Sequence, residues 1–233
     1  MNKTEMTQFL SQKLSFWKNL TSEQKTLLVD SAVERTFEQY STVHNSLDRC
    51  LGIILLKSGQ LRVYISGEDG REVTLYRLYG GDICTLSASC VMDAVSFEVM
   101  VSAEETCRAV VLSALAYRQL MESNVYVKAY TYELTVQHFA DVMWSVEQVL
   151  FMGADKRLAI FLNDEIAKTG SNVIQLSHEQ IAKYMGTARE VVSRMLKYFA
   201  SEGIVTLSRR EITVIDKKKL RSLMMNCQTK CNT

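Results

Sequence analysis

Between Leu176 and Phe199 the chain reads LSHEQIAKYMGTAREVVSRMLKYF, and this stretch constrains the fold more than any other. Ile181, Ala182 and Met185 fall on one face of a first helix, with Ala182 small where a second helix must cross closely. Gly186 stands where a tight turn needs a positive φ, which glycine adopts without a Cβ penalty. Val192, Met195, Leu196 and Phe199 then recur at i, i+3, i+4 and i+7, so a second helix turns them toward a core. Its opposite face shows Arg189, Glu190, Ser193, Arg194 and Lys197. Ser177 is the expected N-cap of the first helix, with Gln180 as its capping-box partner. An ordinary amphipathic hairpin would share the charges. It would not need the small residue, the turn glycine and the buried valine at helix-turn-helix spacing.

That charged face has the chemistry of a major-groove reader. Arginine donates two hydrogen bonds to guanine O6 and N7, and glutamate accepts from cytosine N4. Arg189, Glu190, Ser193 and Arg194 are therefore the expected base readers. Gly203 is a good C-cap after the second helix. Ile204–Leu207 and Glu211–Ile215 alternate like two short strands joined by Ser208-Arg209-Arg210, a β-hairpin wing. Ser177, His178, Thr187, Lys197, Arg209 and Arg210 are the expected phosphate contacts. A short helix from Lys217 to Met225 follows.

Net charge is informative once the chain is divided. Over 233 residues it is +1. Residues 1–150 hold 13 Lys and Arg against 18 Asp and Glu, whereas residues 151–233 hold 14 against 8. The positive charge thus gathers around the helix-turn-helix, the footprint of a DNA-binding module joined to a part that does not touch DNA. The length suits two domains, and a hydrophobic content of 47% suffices to build their cores. No apolar run reaches the roughly 18 residues of a membrane span. The opening MNKTEMTQFL has no signal-peptide apolar core, so a cytoplasmic location and no membrane partner are expected. The six cysteines then read as free thiols or ligands rather than disulfides. Proline is absent, and no functional reason for this is evident.

From about residue 36 to residue 113 short alternating runs are broken by glycine, which predicts a β-barrel or sandwich. Ile53–Leu56, Leu61–Ile65 and Glu72–Tyr76 are strands, with turns at Lys57–Gln60, Gly67–Gly70 and Gly80–Asp82. The first 35 residues read as helical, Thr21 capping a helix from Ser22 to Val33. From Val125 to Met152 neither glycine nor proline interrupts. A helix of that length is roughly 42 Å long, more than a small barrel covers by itself. Tyr130, Leu134, His138, Val142, Ser145, Val149 and Met152 recur along it, and this stripe is the expected seam against a second copy. Gly153 is the candidate hinge before a helix from Asp155 to Lys168.

Helix, glycine-punctuated β-roll, long helix, glycine hinge and winged helix-turn-helix together resemble the cyclic-AMP-receptor and fumarate-nitrate-reduction (CRP/FNR) family of bacterial transcription regulators. The likeness spans nearly the whole chain and is most specific over Leu176–Phe199 and Lys57–Asp82. It implies an α+β fold: a cyclic-nucleotide-binding-like jelly roll as sensor over 1–123, a dimerisation helix and hinge over 124–153, and a winged helix-turn-helix over 154–233. It also implies a homodimer on palindromic double-stranded DNA, half-sites about 34 Å apart, with RNA polymerase as a further partner. Arg189, Glu190 and Arg194 fall at positions that read a TGTGA-type half-site, and Ser193 where the oxygen-sensing branch uses serine. A half-site containing TGA, its G·C pair read by Glu190 and Arg194, is the expectation.

The resemblance places the effector in the β-roll. The cyclic-nucleotide branch carries a Gly-Glu-Leu loop after the glycine-aspartate turn and then an Arg-Ser pair. Here the loop is Ile83-Cys84-Thr85-Leu86-Ser87, and Phe97-Glu98 replaces Arg-Ser. A phosphate beside Glu98 without an arginine would be repelled. The polar pair on the long helix that meets the purine in that branch aligns here with Val142-Met143. Cyclic AMP by the usual contacts is therefore not expected. The oxygen-sensing branch holds an iron–sulfur cluster on N-terminal cysteines, and none precedes Cys50 here. Cys50, Cys84, Cys90 and Cys107 would supply four thiolates, at an unfamiliar spacing. Cys84 matches a cysteine of the carbon-monoxide-sensing haem branch, but the haem histidine is replaced by Leu86, with His44 and His138 as weak substitutes.

Cys84, Thr85, Ser87, Cys90, Val142 and Met143 are thus the sensor candidates, and no metal site is assigned. Haem, an iron–sulfur cluster, a Cys84–Cys90 thiol switch and an apolar or anionic ligand stay open beside plain burial of the thiols. Cys227 and Cys231 sit in a polar tail. The alternative to a regulator is an enzyme or a ligand-binding protein on a β-roll. Against an enzyme stand the lack of a nucleophile–base–orienter set among His44, His138 and His178, and the lack of a P-loop or dinucleotide fingerprint.

Overall fold

The computed structural model describes residues 1–45, 51–68, 70–85 and 99–225. The chain divides into two compact units, one of residues 1–65 and 75–143, the other of residues 66–74 and 144–233.

The first unit opens with α1 (Lys3–Lys13), a 3-10 turn (Ser15–Asn19) and α2 (Ser22–Ser31). Both helices start with a capping box, Asn2 with Glu5 and Thr21 with Gln24, which satisfies backbone donors that a helix N-terminus leaves orphaned. The helix expected to run to Val33 stops at Ser31, and Ala32 begins β1 (Ala32–Phe37). The reason is tertiary. Val33 pairs with Val111 in an antiparallel ladder with β8 (Cys107–Leu112), where a β-branched side chain packs better than on a helix.

Two four-stranded sheets form the roll. One has the order β1, β8, β3 (Ile53–Ser58) and β6 (Ile83–Cys84). The other has the order β2 (Thr42–His44), β7 (Met100–Ala103), β4 (Gln60–Ser66) and β5 (Glu72–Tyr79). Leu56, Leu61, Val63, Leu75, Cys84, Val101, Cys107 and Ala109 fill one apolar cluster, as alternating inward residues of a roll should. Ile53, Leu55, Val110 and Leu112, on the other face of β3 and β8, pack with Leu10, Phe16 and Leu28 of the N-terminal helical segment. Gly52 enters β3 at φ 111°, and a Cβ there would overlap the carbonyl oxygen of Leu112.

After α3 (Ala114–Ser123) comes α4, a continuous helix over Val125–Phe151. The stripe expected to form a dimer seam instead serves the chain's own fold over its first half. Tyr130 and Leu134 pack on the cluster that includes Phe16, Val142 packs on the roll core, and His138 is 8% exposed. A different stripe is uncovered: Tyr132, Val136, Phe139, Met143, Val146 and Leu150 are all exposed. These six alternate spacings of four and three, the pattern of a and d positions in a heptad. Ala129 and Val125, also exposed, continue it backward. Two apolar stripes lie side by side on this helix, and periodicity could not say which one the roll would cover.

The second unit holds α5 (Ala154–Thr169), β9 (Val173–Ile174), α6 (His178–Met185), α7 (Arg189–Ser201), β10 (Val205–Ser208), β11 (Glu211–Val214) and α8 (Lys217–Met225). Leu158, Leu162, Ile181, Ala182, Val192, Leu196, Phe199, Val205, Ile212 and Leu220 form its core. The small sheet has the order β10, β11, β9, so β9 extends the expected two-stranded wing. Gly153 separates α4 from α5 at φ −62° and ψ 155°, a conformation open to any residue, so the break itself does not require glycine.

Candidate nucleic-acid interface

The α6–α7 pair has the expected local geometry. Ser177 caps α6 by accepting from the Gln180 N–H, and Gln180 Oε1 accepts from the Ser177 N–H at 2.9 Å and its hydroxyl at 3.0 Å. That hydroxyl, expected at a phosphate, is therefore spent on the cap. Gly186 closes α6 in the left-handed conformation at φ 60° and donates to Ala182 and Lys183 carbonyls. Thr187 N–H donates to the Ala182 carbonyl at 3.0 Å, tying the turn to the first helix.

On α7, Val192, Leu196 and Phe199 are buried while Arg189, Glu190, Arg194 and Lys197 are exposed. With Ser193 these side chains line one open concavity of about 420 Å³. Among the described residues none of the four charged groups makes an ion pair, so their charge faces outward. Ser193 differs from the others: its Oγ lies 2.8 Å from Nδ1 of His178 at the start of α6. Sequence spacing treated these two as separate contacts, and only the packing of α6 on α7 joins them. Burial, with Arg189 nearby, lowers the affinity of the His178 ring for a second proton. Arg209 and Arg210 form the exposed turn between β10 and β11. Arg210 stands at φ 62°, a left-handed conformation that costs a non-glycine residue about 1 kcal/mol or more.

Where α4 meets the roll, the His138 ring stacks on Tyr76 and its Nδ1 lies 3.1 Å from Thr85 Oγ1. Cys84, fully buried, belongs to the same roll core as Val142, whereas Met143 is exposed. Ser87, Cys90 and Cys50 lie outside the described residues, as do Leu86, Phe97, Glu98, Cys227 and Cys231.

Residues 156–223 match the Crp-like helix-turn-helix domain model, and residues 34–124 match the cyclic nucleotide-binding domain model. A solved structure assigned to the Crp/Fnr family of transcriptional regulators, from Eubacterium rectale, superposes with a TM-score of 0.88 at 42% identity, covering 92% of this chain and 99% of that one. The chain belongs to the Crp/Fnr family. Its Crp-type helix-turn-helix is a DNA-binding domain, and the protein is a transcription regulator. The cyclic AMP receptor protein of Thermus thermophilus is 23% identical over 88% of this chain and 94% of its own length. Transcriptional regulatory protein btr of Bordetella pertussis is 34% identical over 80 residues, 31% of this chain and 33% of that protein.

Cys84 and Cys107 are buried and form no disulfide among the described residues. The Cys107 thiol donates to the Gln60 and Glu105 carbonyls at 3.3 and 3.1 Å, and burial raises its pKa. A thiol held protonated in this way is a poor cluster ligand, because the thiolate is what binds metal. Among the described residues no group of three or more His, Cys, Asp or Glu is placed to hold a metal ion. No described helix is long and apolar enough to cross a membrane.

Proposed function

We propose that this regulator binds a two-fold DNA site as a homodimer, with α7 of each copy in the major groove of a TGA-containing half-site. The concavity formed by Arg189, Glu190, Ser193, Arg194 and Lys197 carries this reading. It joins two bidentate donors, one carboxylate acceptor and a flanking phosphate-binding lysine on one face. Arg209 and Arg210 at the wing turn, His178 at the start of α6 and Thr187 in the turn are the phosphate contacts. The exposed heptad stripe of α4 is the seam between copies. Residues 1–123 then act as sensor, 124–153 as dimerisation helix and 154–233 as the DNA-binding part. RNA polymerase is the further partner that this role calls for.

The effector is not cyclic AMP held by the usual contacts. Val142, one of the pair that would meet a purine, packs into the roll core. The Tyr76–His138 stack places two rings between α4 and the strands. A small apolar or anionic ligand beside these rings is the effector class of this reading.

The test is duplex binding measured against salt. A dimer neutralising about six to ten phosphates loses roughly a thousandfold or more in affinity between low and moderate salt. It also retains a preference for TGA sites over scrambled DNA. Salt-insensitive binding, or binding without sequence preference, would rule the reading out.

A further inference from the structure

We propose that His178 decides, through its hydrogen bond to Ser193, whether that serine offers the DNA groove a proton or a lone pair, and so couples base preference at one position to the protonation of His178. This rests on the reading of α7 as the groove helix.

The hydrogen bond can run in either direction, and a phosphate oxygen accepting from Nε2–H would select the neutral tautomer whose Nδ1 accepts from Ser193. A hydroxyl has one proton and two lone pairs. Ser193 Oγ lies 2.8 Å from His178 Nδ1, so one of the two atoms must supply the proton between them. With the imidazole neutral and its proton on Nε2, Nδ1 accepts and the serine proton is committed to it. Ser193 then presents lone pairs alone, suited to the amino groups of cytosine N4 or adenine N6. When a proton from solvent binds Nδ1, the direction reverses. The imidazolium donates to Ser193 Oγ, and the freed O–H can donate to guanine O6 or N7, or to thymine O4.

The surroundings set when this occurs. His178 is half-buried at the first position of α6, and Nε2 has no hydrogen-bond partner among the described residues. A helix N-terminus with Nε2–H available suits a phosphate oxygen, which holds that neutral tautomer at neutral pH, while its charge favours the imidazolium as pH falls. Arg189 on α7 and burial oppose the charge, while Glu179 is the next residue on α6 itself. On α5, Arg157 donates to the Met185 carbonyl at the opposite end of α6. The free protein therefore holds His178 neutral, and DNA binding together with mild acid charges it.

The test uses the full-length wild type, His178→Gln and Ser193→Ala. Sites selected by the wild type from a random duplex pool, and all their single-base variants, are titrated by fluorescence anisotropy at about pH 6 and about pH 8, on either side of the ordinary imidazole value. In the wild type, preference at one base pair should shift about fivefold toward guanine or thymine at the lower pH, the size of one neutral hydrogen bond. Both variants should show the same ranking at the two pH values. A wild-type ranking that does not move with pH, while discrimination persists, overturns the coupling and leaves the groove reading intact. A shift that persists in Ser193→Ala also overturns it. Absence of base discrimination at either pH would remove the groove reading and the coupling together.

Discussion

The imidazole of His138 lies flat on the ring of Tyr76, with centroids 4.7 Å apart and planes 8° apart, which joins α4 to the β-roll by a face-to-face aromatic contact. Burial lowers the His138 pKa, with Asp141 and Asp82 opposing the shift. A folded pKa below the unfolded one means the unfolded chain binds more protons, so stability rises with pH. The contribution is complete above about pH 6.5, is lost as pH falls through that value, and levels off below the folded pKa. Calorimetry should show the wild-type Tm falling more between about pH 8 and about pH 5 than that of His138→Gln. Equal slopes would mean His138 is not the group that titrates.

Tyr76 contributes a buried hydroxyl with no hydrogen-bond partner among the described residues. A lone buried polar group costs about 1–3 kcal/mol of desolvation. Tyr76→Phe keeps the ring on His138 and removes that group, so it should leave urea stability unchanged or raise it by up to that amount. A loss above about 1 kcal/mol would show that the hydroxyl has a partner in solution.

Val136 and Phe139 are 67% and 63% exposed on α4, at adjacent positions of the heptad stripe. Placing Glu at both sets like charges against each other across a two-fold seam, where no apolar contact remains to offset them. Sedimentation velocity should show the wild type as a dimer and the double variant as a monomer with an unchanged far-ultraviolet spectrum. A double variant that stays dimeric would place the seam elsewhere.

Arg194 and Arg209 should fail differently. Arg194→Ala is expected to cost about 1–3 kcal/mol at a cognate site and to relax preference at one base pair. Arg209→Ala should weaken binding alike on every sequence and reduce the salt slope by about one. Equal losses for Arg194→Ala on cognate and scrambled duplexes would make it a phosphate contact.

Much of the fold was legible because it is local. Gly186, Gln180 and the Val192–Phe199 periodicity specify caps, a turn and a buried face within a few residues of one another, and the structure realises each one. The wing strands and the long helix likewise follow from patterns carried in single segments. The end of α2 was misread because Val33 is recruited by a strand nearly eighty residues away. The Ser177–Gln180 capping box, by contrast, was legible because its two residues lie three positions apart.

By itself, then, the sequence determined the family architecture, the charged outward face of α7 and the separation of an acidic part from a basic one, because periodicity, turn residues and charge act over short range. Tertiary packing alone decided which stripe of α4 the roll covers, which thiol is held protonated and that His178 meets Ser193. These depend on atoms brought together from distant segments, where burial and hydrogen bonding are properties of the assembled core and no spacing in one segment encodes them.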